Sequence, residues 1–343
     1  MTITYSTTQK MGVYTTHLPD LLKALGREGI LRTKVGRFVV MDGTDDPAFP
    51  SCGSVKKVFW GVMHGERKGD VTFCVALRSK IDCKSFSREK RVLRLLKGSP
   101  GVIQPLLIED KGDFSYMISK LFNRGNLLEC LKSVDRPITI DQRNVIAYVV
   151  VSALLKCQEK GVIWRDGKLE NILVNELPDG RLEASLIDFG FAFVMQEGSK
   201  EESCQNCGSL NYLSPETWAE LSSTGKFFPA DYKTDLWAIG SVLFALAKGH
   251  LPGYKLIKDG DEPVGLEVFP EAECPELGIY SKVIKDLVYK GRDAQPSLED
   301  VLVRIHNIFV KTYPESGFDL IEEELVVEKP CAKWMIEIVE KTG

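Results

Sequence analysis

The chain has 343 residues, 44% hydrophobic and 27% charged, an ordinary globular composition long enough for one large or two smaller cores. Lys and Arg number 44 against 48 Asp and Glu, and a net charge of -4 offers no basic surface for nucleic acid. No apolar run is long enough to span a bilayer, and the N-terminus lacks a basic stretch followed by an apolar one. The expectation is therefore an intracellular, cytoplasmic protein with neither signal peptide nor membrane span.

Nine cysteines, an odd count set mostly in apolar segments, read as free thiols in a reducing compartment. Cys204 and Cys207 form a C-x-x-C, but no second pair stands at zinc-finger spacing. Simple loop cysteines are the expectation there.

In chain order, Leu18, Leu21, Leu22 and Leu25 give residues 16–31 a helical apolar face, closed by Gly26 and Gly29. Phe38–Met41 reads as a strand and residues 42–47 as a turn. A loop from Ser51 to Gly61 leads to a strand over Thr72–Arg78. A charged helix over Ser85–Leu96 follows, and Gly98, Pro100 and Gly101 end it. Strands are expected at Val102–Ile108 and Phe114–Ser119. A helix over Ile138–Glu159 is apolar nearly all round and so belongs in a buried position.

Next comes the stretch Trp164-Arg165-Asp166-Gly167-Lys168-Leu169-Glu170-Asn171, polar residues between two apolar runs, and then Asp188-Phe189-Gly190. From Phe191 to Gly208 the composition is polar, with Ser199 and Ser203 as possible phosphosites. Gly208-Ser209-Leu210-Asn211-Tyr212-Leu213-Ser214-Pro215-Glu216 and Asp235-Leu236-Trp237-Ala238-Ile239-Gly240 follow. A helix over Leu298–Val310 closes the folded region.

These motifs, in this order, resemble the protein kinases: H-R-D-x-x-x-x-N, D-F-G, G-T-x-x-Y-x-x-P-E and D-x-W-x-x-G. The resemblance implies an α+β, two-lobed protein kinase fold with a small β-rich N-lobe and a larger helical C-lobe. It places an N-terminal extension at 1–31, the kinase domain at 32–310 (N-lobe about 32–120, C-lobe about 121–310) and a tail at 311–343. The implied activity is ATP- and Mg2+-dependent transfer of a phosphoryl group to Ser or Thr of a protein substrate. In such a site Asp166 is the catalytic base, Lys168 the cation near the transferring group, and Asn171 and Asp188 the magnesium ligands.

The nucleotide site is implied less directly. Ser51, Gly53 and Lys56 fall on the three glycine positions of the phosphate loop, so only Gly53 matches, and Arg78 stands where V-A-I-K places its lysine. The with-no-lysine kinases supply that cation from the third glycine position, and Lys56 occupies it here. Glu89 matches the helix glutamate and is expected to pair with Arg78 or with Lys56. Ser119 takes the gatekeeper position, backbone groups of Lys120 and Phe122 would bind adenine, and Val58 and Ala76 would cover its face.

Trp164 replaces the family's histidine and is expected to pack with Phe189. Gly167 adds backbone freedom where the family has an apolar residue. Gln295 stands in place of an arginine, with Arg292 as a possible substitute. Arg78, Trp164, Gln295 and the eroded loop leave open a second function, a pseudokinase that binds partners with little or no transfer.

Overall fold

The computed structural model describes residues 30–32, 37–41, 56–64, 71–177, 180, 182–195, 208–225, 229–251, 254–259, 262–268, 280–288 and 292–312. The glycine-loop positions Ser51 and Gly53, the Cys204/Cys207 pair, Ser199, Ser203 and the tail beyond Thr312 lie outside these residues. So does most of the helix expected over 16–31. Its last two residues correct that expectation, because Ile30 and Leu31 are strand, paired with Val39 and Phe38.

The N-terminal part is one antiparallel sheet. Its strands are β1 (Ile30–Arg32), β2 (Arg37–Met41), β3 (Lys57–His64), β4 (Val71–Lys80), β5 (Pro105–Lys111) and β6 (Phe114–Lys120), in the order β1-β2-β3-β4-β6-β5. Helix α1 (Lys84–Leu95) packs on one face. It buries Phe86, Glu89, Lys90, Val92 and Leu93 along one side, the spacing of an amphipathic helix.

Strand alternation decides what that helix meets. Leu77, Ile108 and Met117 join the core with Phe86 and Leu93, and Lys90 of α1 donates to Ser115 Oγ at 2.6 Å. Cys74, Ala76 and Ile118 form a separate cluster with Leu107 and Tyr116 on the opposite face. Side chains alternate with a period of two, so Val75, Leu77 and Ser79 share the inner face while Cys74, Ala76 and Arg78 share the outer one.

The C-terminal part is mainly helical. It contains α2 (Leu127–Lys132), α3 (Ile140–Glu159), α4 (Pro215–Thr224), α5 (Tyr232–Lys248), α6 (Ser281–Val288) and α7 (Leu298–Thr312). Capping boxes start three of these helices: Asn126 with Glu129 on α2, Thr139 with Gln142 on α3, and Asp231 with Thr234 on α5. Helix α3 buries Ile146, Val149, Val150, Val151, Leu154 and Leu155. Each such side chain stabilises the core by about 1.5–3 kcal/mol.

Short strands arrange the loops between the two parts. These are β7 (Val162–Ile163), β8 (Ile172–Glu176), β9 (Leu182–Leu186) and β10 (Phe193–Val194), paired as β8/β9 and β7/β10. One hairpin was not among the sequence expectations, although Asp259-Gly260 marks its turn: β11 (Tyr254–Asp259) and β12 (Glu262–Val268), with β12 lying against α4. Among the described residues, no helix is long and apolar enough to cross a membrane.

Candidate active site

Strand β7 delivers the chain to Trp164, Arg165 and Asp166, and α5 holds that turn from below. Asp235 Oδ2 accepts the backbone N–H of Trp164 and Oδ1 that of Arg165, both at 2.8 Å. Burial pushes the Asp235 carboxyl up to about 6, against the pull of those two donors. Arg165 adopts a left-handed φ of 70°, and Gly208 packs over it. Gly208 has φ of +94°, and a Cβ there would lie 3.0 Å from the Arg165 carbonyl oxygen, so both conformation and space require glycine.

Asp166 is buried at 4% exposure, and its carboxylate sits at the centre of a polar cluster. Oδ2 accepts from Lys168 Nζ at 2.8 Å and from Asn171 Nδ2 at 2.7 Å. Oδ1 accepts from Ser209 Oγ at 3.2 Å, and Lys168 Nζ also donates to Ser209 Oγ at 2.9 Å. Tyr212 braces the same loop, its hydroxyl accepting from the Leu169 N–H at 3.3 Å. A shallow pocket opens beside Asp166, lined by Gly208, Ser209, Tyr212, Leu213 and Thr217.

Asp188 arrives from the β8/β9 hairpin. The Ile187 N–H donates to the Asn171 carbonyl at 3.0 Å, which ties this strand end to the loop carrying Asp166. Asp188 has φ of 56° and accepts from the Gly190 N–H at 3.3 Å. Phe189 is fully buried, and its ring centroid lies 6.1 Å from that of Trp164, at 34°. Arg88 of α1 donates to the Gly190 carbonyl at 3.1 Å.

Lys56, just before β3, closes the arrangement. Its Nζ is 2.7 Å from Glu89 Oε2 and 2.7 Å from Asp188 Oδ1, so one ammonium joins α1 to the strand end at Asp188. Burial alone would lower the Lys56 pKa, but the two carboxylates outweigh it and raise it above the ordinary lysine value. Glu89 is 1% exposed, and burial pushes its carboxyl up against the pull of Lys56.

Of the two partners the sequence left open for Glu89, Lys56 is therefore the one in contact. Arg78 lies elsewhere: it stands opposite Tyr116 in register, and its guanidinium sits 4.8 Å over the Phe114 ring on the outer face. Ala76, expected over the adenine, belongs to the outer cluster with Cys74 and Ile118. Strand parity accounts for this placement, since a shift of one residue moves every side chain to the other face. Val75 pairs with Ser119 on the inner face, and Leu77 takes the next inner position, opposite Met117. The Ser119–Val75 pairing is the register signal that the motif alone lacked.

Around the expected hinge, Lys120 ends β6 with its Nζ exposed and 3.5 Å from Glu183. Phe122 is buried, and its carbonyl accepts from the Gly125 N–H at 3.3 Å. The Val58 side chain lies outside the described residues, although its backbone pairs with Leu77 in β3/β4. Gln295 donates to the Leu287 carbonyl at 2.8 Å.

Two polar links had no signal in the sequence motifs. Lys90 Nζ joins α1 to Asp110 Oδ1 at 2.9 Å as well as to Ser115, and Trp164 Nε1 donates to the Ile187 carbonyl at 3.0 Å. Gly167 also differs from expectation. It has no left-handed φ, and a Cβ there would meet Ala238 Cβ at 3.0 Å and the Trp164 ring at 3.5 Å, so space rather than backbone freedom limits it.

The donor chemistry fits a magnesium nucleotide. Asn171 spends its amide N–H on Asp166, leaving its oxygen as the ligand end, and Asp188 keeps a carboxylate at 35% exposure. Two hard protein oxygens suffice, because magnesium completes its shell with water and phosphate oxygens. Among the described residues no group of three or more His, Cys, Asp or Glu could hold an ion without such help.

Comparison with known proteins agrees with this architecture. The protein kinase domain model matches residues 53–288. Among curated relatives, the chain is 27% identical over 206 residues to "Putative ribosomal protein S6 kinase alpha-2" of Caenorhabditis elegans, covering 57% of this chain and 26% of that protein. It is 27% identical over 255 residues to "CBL-interacting protein kinase 21" of Oryza sativa subsp. japonica (71% and 44%). It is 30% identical over 217 residues to "Probable serine/threonine-protein kinase MARK-B" of Dictyostelium discoideum (62% and 28%). In each case the match spans less than half of the relative's own length. The domain match covers most of the present chain, and on it the chain belongs to the protein kinase family.

Proposed function

We propose that this chain is an ATP- and Mg2+-dependent protein kinase that phosphorylates serine or threonine. The observation that carries the reading is the Asp166 carboxylate, held by Lys168, Asn171 and Ser209 beside an open pocket, with Lys56 spanning Glu89 and Asp188 nearby. Asp166 orients the substrate hydroxyl and takes its proton as the new oxygen–phosphorus bond forms and the bond from the terminal phosphorus to the bridging oxygen breaks, with ADP leaving. Lys168, an ammonium already beside Asp166, offsets negative charge on the transferring group. Asn171 and Asp188 would hold magnesium, which would neutralise charge on the nucleotide phosphates.

Lys56 serves as the phosphate-anchoring cation in this reading, in place of a strand lysine. Glu89 limits its excursions, and relief of its contact with Asp188 would leave that carboxylate for the metal. The peptide-side pocket along Gly208–Thr217 supports a protein substrate over a small metabolite, and Ser209 next to Lys168 supports the serine/threonine class. Free thiols at Cys74, Cys83, Cys130 and Cys157 support a reducing, intracellular setting.

The pseudokinase reading drew on Arg78, Trp164, Gln295 and the eroded glycine loop, of which Arg78 and Trp164 bear most directly on the site. Arg78 on the outer face leaves Lys56 to act, and Trp164 retains a donor to the strand end at Asp188, so neither feature counts against transfer. The test is incorporation of labelled phosphate from ATP into a generic protein substrate, with wild type and Asp166→Asn side by side. The expected result is Mg2+-dependent transfer by wild type and at least about a hundredfold loss in the variant. Folded wild type that binds nucleotide but transfers nothing to any of a broad peptide panel would overturn the proposal.

A further inference from the structure

Helix α1 buries five side chains, and two neighbours among them, Glu89 and Lys90, are charged. Successive helical residues point about 100° apart, so the two carry opposite charges toward different parts of the sheet. Glu89 reaches Lys56 at 2.7 Å. Lys90, 7% exposed, puts its Nζ 2.9 Å from Asp110 Oδ1 and 2.6 Å from Ser115 Oγ, with the Phe86 ring centroid 5.9 Å away. Arg88, the residue before, donates to the Gly190 carbonyl at 3.1 Å. Three consecutive residues thus hold three separate partners.

The receptor for Lys90 is built into the sheet. Asp110 of β5 and Ser115 of β6 are direct partners in register, Ser115 Oγ donates to Asp110 Oδ1, and Ser115 also stands opposite Ser79 of β4. One step beyond the first β3/β4 pair, Lys56 falls across from Ser79, so a polar row crosses the inner face with a cation at one end and a carboxylate at the other. Glu89 and Lys90 meet that row with the charges reversed. The apolar contacts of Phe86, Val92 and Leu93 are non-directional and leave the rotation of α1 about its axis weakly specified. With side chains reaching about 5–6 Å from that axis, a turn of about 20° would move the Glu89 carboxylate about 2 Å, enough to break its contact with Lys56. We propose that Lys90, received by Asp110 and Ser115, is a positioning residue that sets the rotation of α1 and so aims Glu89 at Lys56. The proposal deepens the function given above, and rests on it for Lys56 as the phosphate anchor.

The test compares wild type with Lys90→Met and Asp110→Asn, and first reads Lys56 without any ligand. Acylation of Lys56 by a small water-soluble ester in mildly alkaline buffer is followed by peptide mass spectrometry, with exposed Lys84 as internal reference. Glu89 and Asp188 hold the proton on Lys56, so a helix that turns Glu89 away leaves an amine that reacts at least about fivefold faster in Lys90→Met, and by a smaller factor in Asp110→Asn. Lys90→Met strands no buried charge, because Asp110 is half-exposed and Ser115 keeps its bond to it. Its unfolding midpoint therefore falls by no more than about 4 °C. Unchanged acylation of Lys56 in both variants, with or without a lower midpoint, would overturn the proposal.

The second readout is affinity for a non-hydrolysable ATP analogue with Mg2+, in a double-mutant cycle of Lys90→Met and Lys56→Met. Lys56 contacts Glu89 and Asp188 while Lys90 contacts Asp110 and Ser115, so a merely structural loss at Lys90 would add to that of Lys56→Met. A positioning residue behaves otherwise. Lys90→Met weakens binding about fivefold when Lys56 is present and less than about twofold once it is absent. Equal losses in both backgrounds would overturn the positioning role. Nucleotide affinity unchanged by Lys56→Met would instead refute Lys56 as the anchor, with the acylation rates still deciding whether Lys90 aims Glu89.

Discussion

Replacing Lys56 by Met removes the ammonium that lies 2.7 Å from both Glu89 and Asp188 and substitutes an uncharged chain of similar length. Glu89, 1% exposed, is left with its buried charge uncompensated. Breaking a buried pair from one side costs about 3–5 kcal/mol. The lower end applies here, because burial already pushes the Glu89 carboxyl toward its neutral form and a proton can replace the lost partner. About 3 kcal/mol corresponds to a fall of roughly 6–12 °C in unfolding midpoint. The effect on transfer is larger, about 100- to 1,000-fold in kcat, the worth of one preorganised charge on the transferring group.

Arg78→Met is the informative control. Its guanidinium stacks on Phe114 at 4.8 Å, on the face away from α1. Losing that contact costs about 0.5–1 kcal/mol of stability. Transfer falls by no more than about twofold, because the Phe114 contact lies on the face away from Glu89 and Asp188. Phosphate incorporation at saturating ATP, run below the midpoint of the least stable variant, separates the two. Loss of transfer in Arg78→Met with retention in Lys56→Met would refute both the face assignment and the role given to Lys56.

Further outcomes follow from the same geometry. Asn171→Ala removes the donor at 2.7 Å from Asp166 Oδ2 together with the expected metal ligand, so the Mg2+ concentration for half-maximal transfer rises about tenfold or more in a metal titration. Ser209→Ala deletes both the 3.2 Å contact to Asp166 and the 2.9 Å contact to Lys168, lowering kcat about tenfold with the KM for ATP unchanged. Asp235 titrates near 6 when folded and near 3.8 when unfolded, so the folded state holds its proton longer. Its contribution to stability is thus greatest below about pH 4 and falls as pH rises through 6. The loss is about 3 kcal/mol, which denaturant unfolding across that range detects as a slope absent from Asp235→Asn.

The sequence carried much of this site because its chemistry is local. Asp166, Lys168 and Asn171 lie within six residues, and the loop geometry that joins them follows from spacing alone. Helices α1, α3 and α7 were legible to within one or two residues from apolar periodicity. Strand faces were not, because V-A-L-R over residues 75–78 fits the family motif while its register is set by pairing with Ser119, more than forty residues away. The β11/β12 hairpin was missed although Asp259-Gly260 supplies a hairpin turn dipeptide, because the flanking stretches mix charged with apolar residues and lack a clean alternation. The indole bond to Ile187 joins positions twenty-three residues apart, and spacing gives no sign of it.

The inner face of the sheet also bears on how such a site can change over generations. Neighbouring strands lie about 5 Å apart, less than the reach of a lysine side chain, so a face behaves as a grid on which several points serve one charge. Val58 pairs with Leu77 and Lys57 with Arg78, so Lys56, one residue earlier, falls across from Ser79 on the same inner face as Leu77. A lineage could gain the first lysine while the second was still present, then lose the second without passing through an uncharged cleft. The fold would be untouched at each stage, since neither exchange alters a backbone hydrogen bond. A lysine missing from its customary strand is thus weak evidence for a dead enzyme until every point on that grid has been inspected.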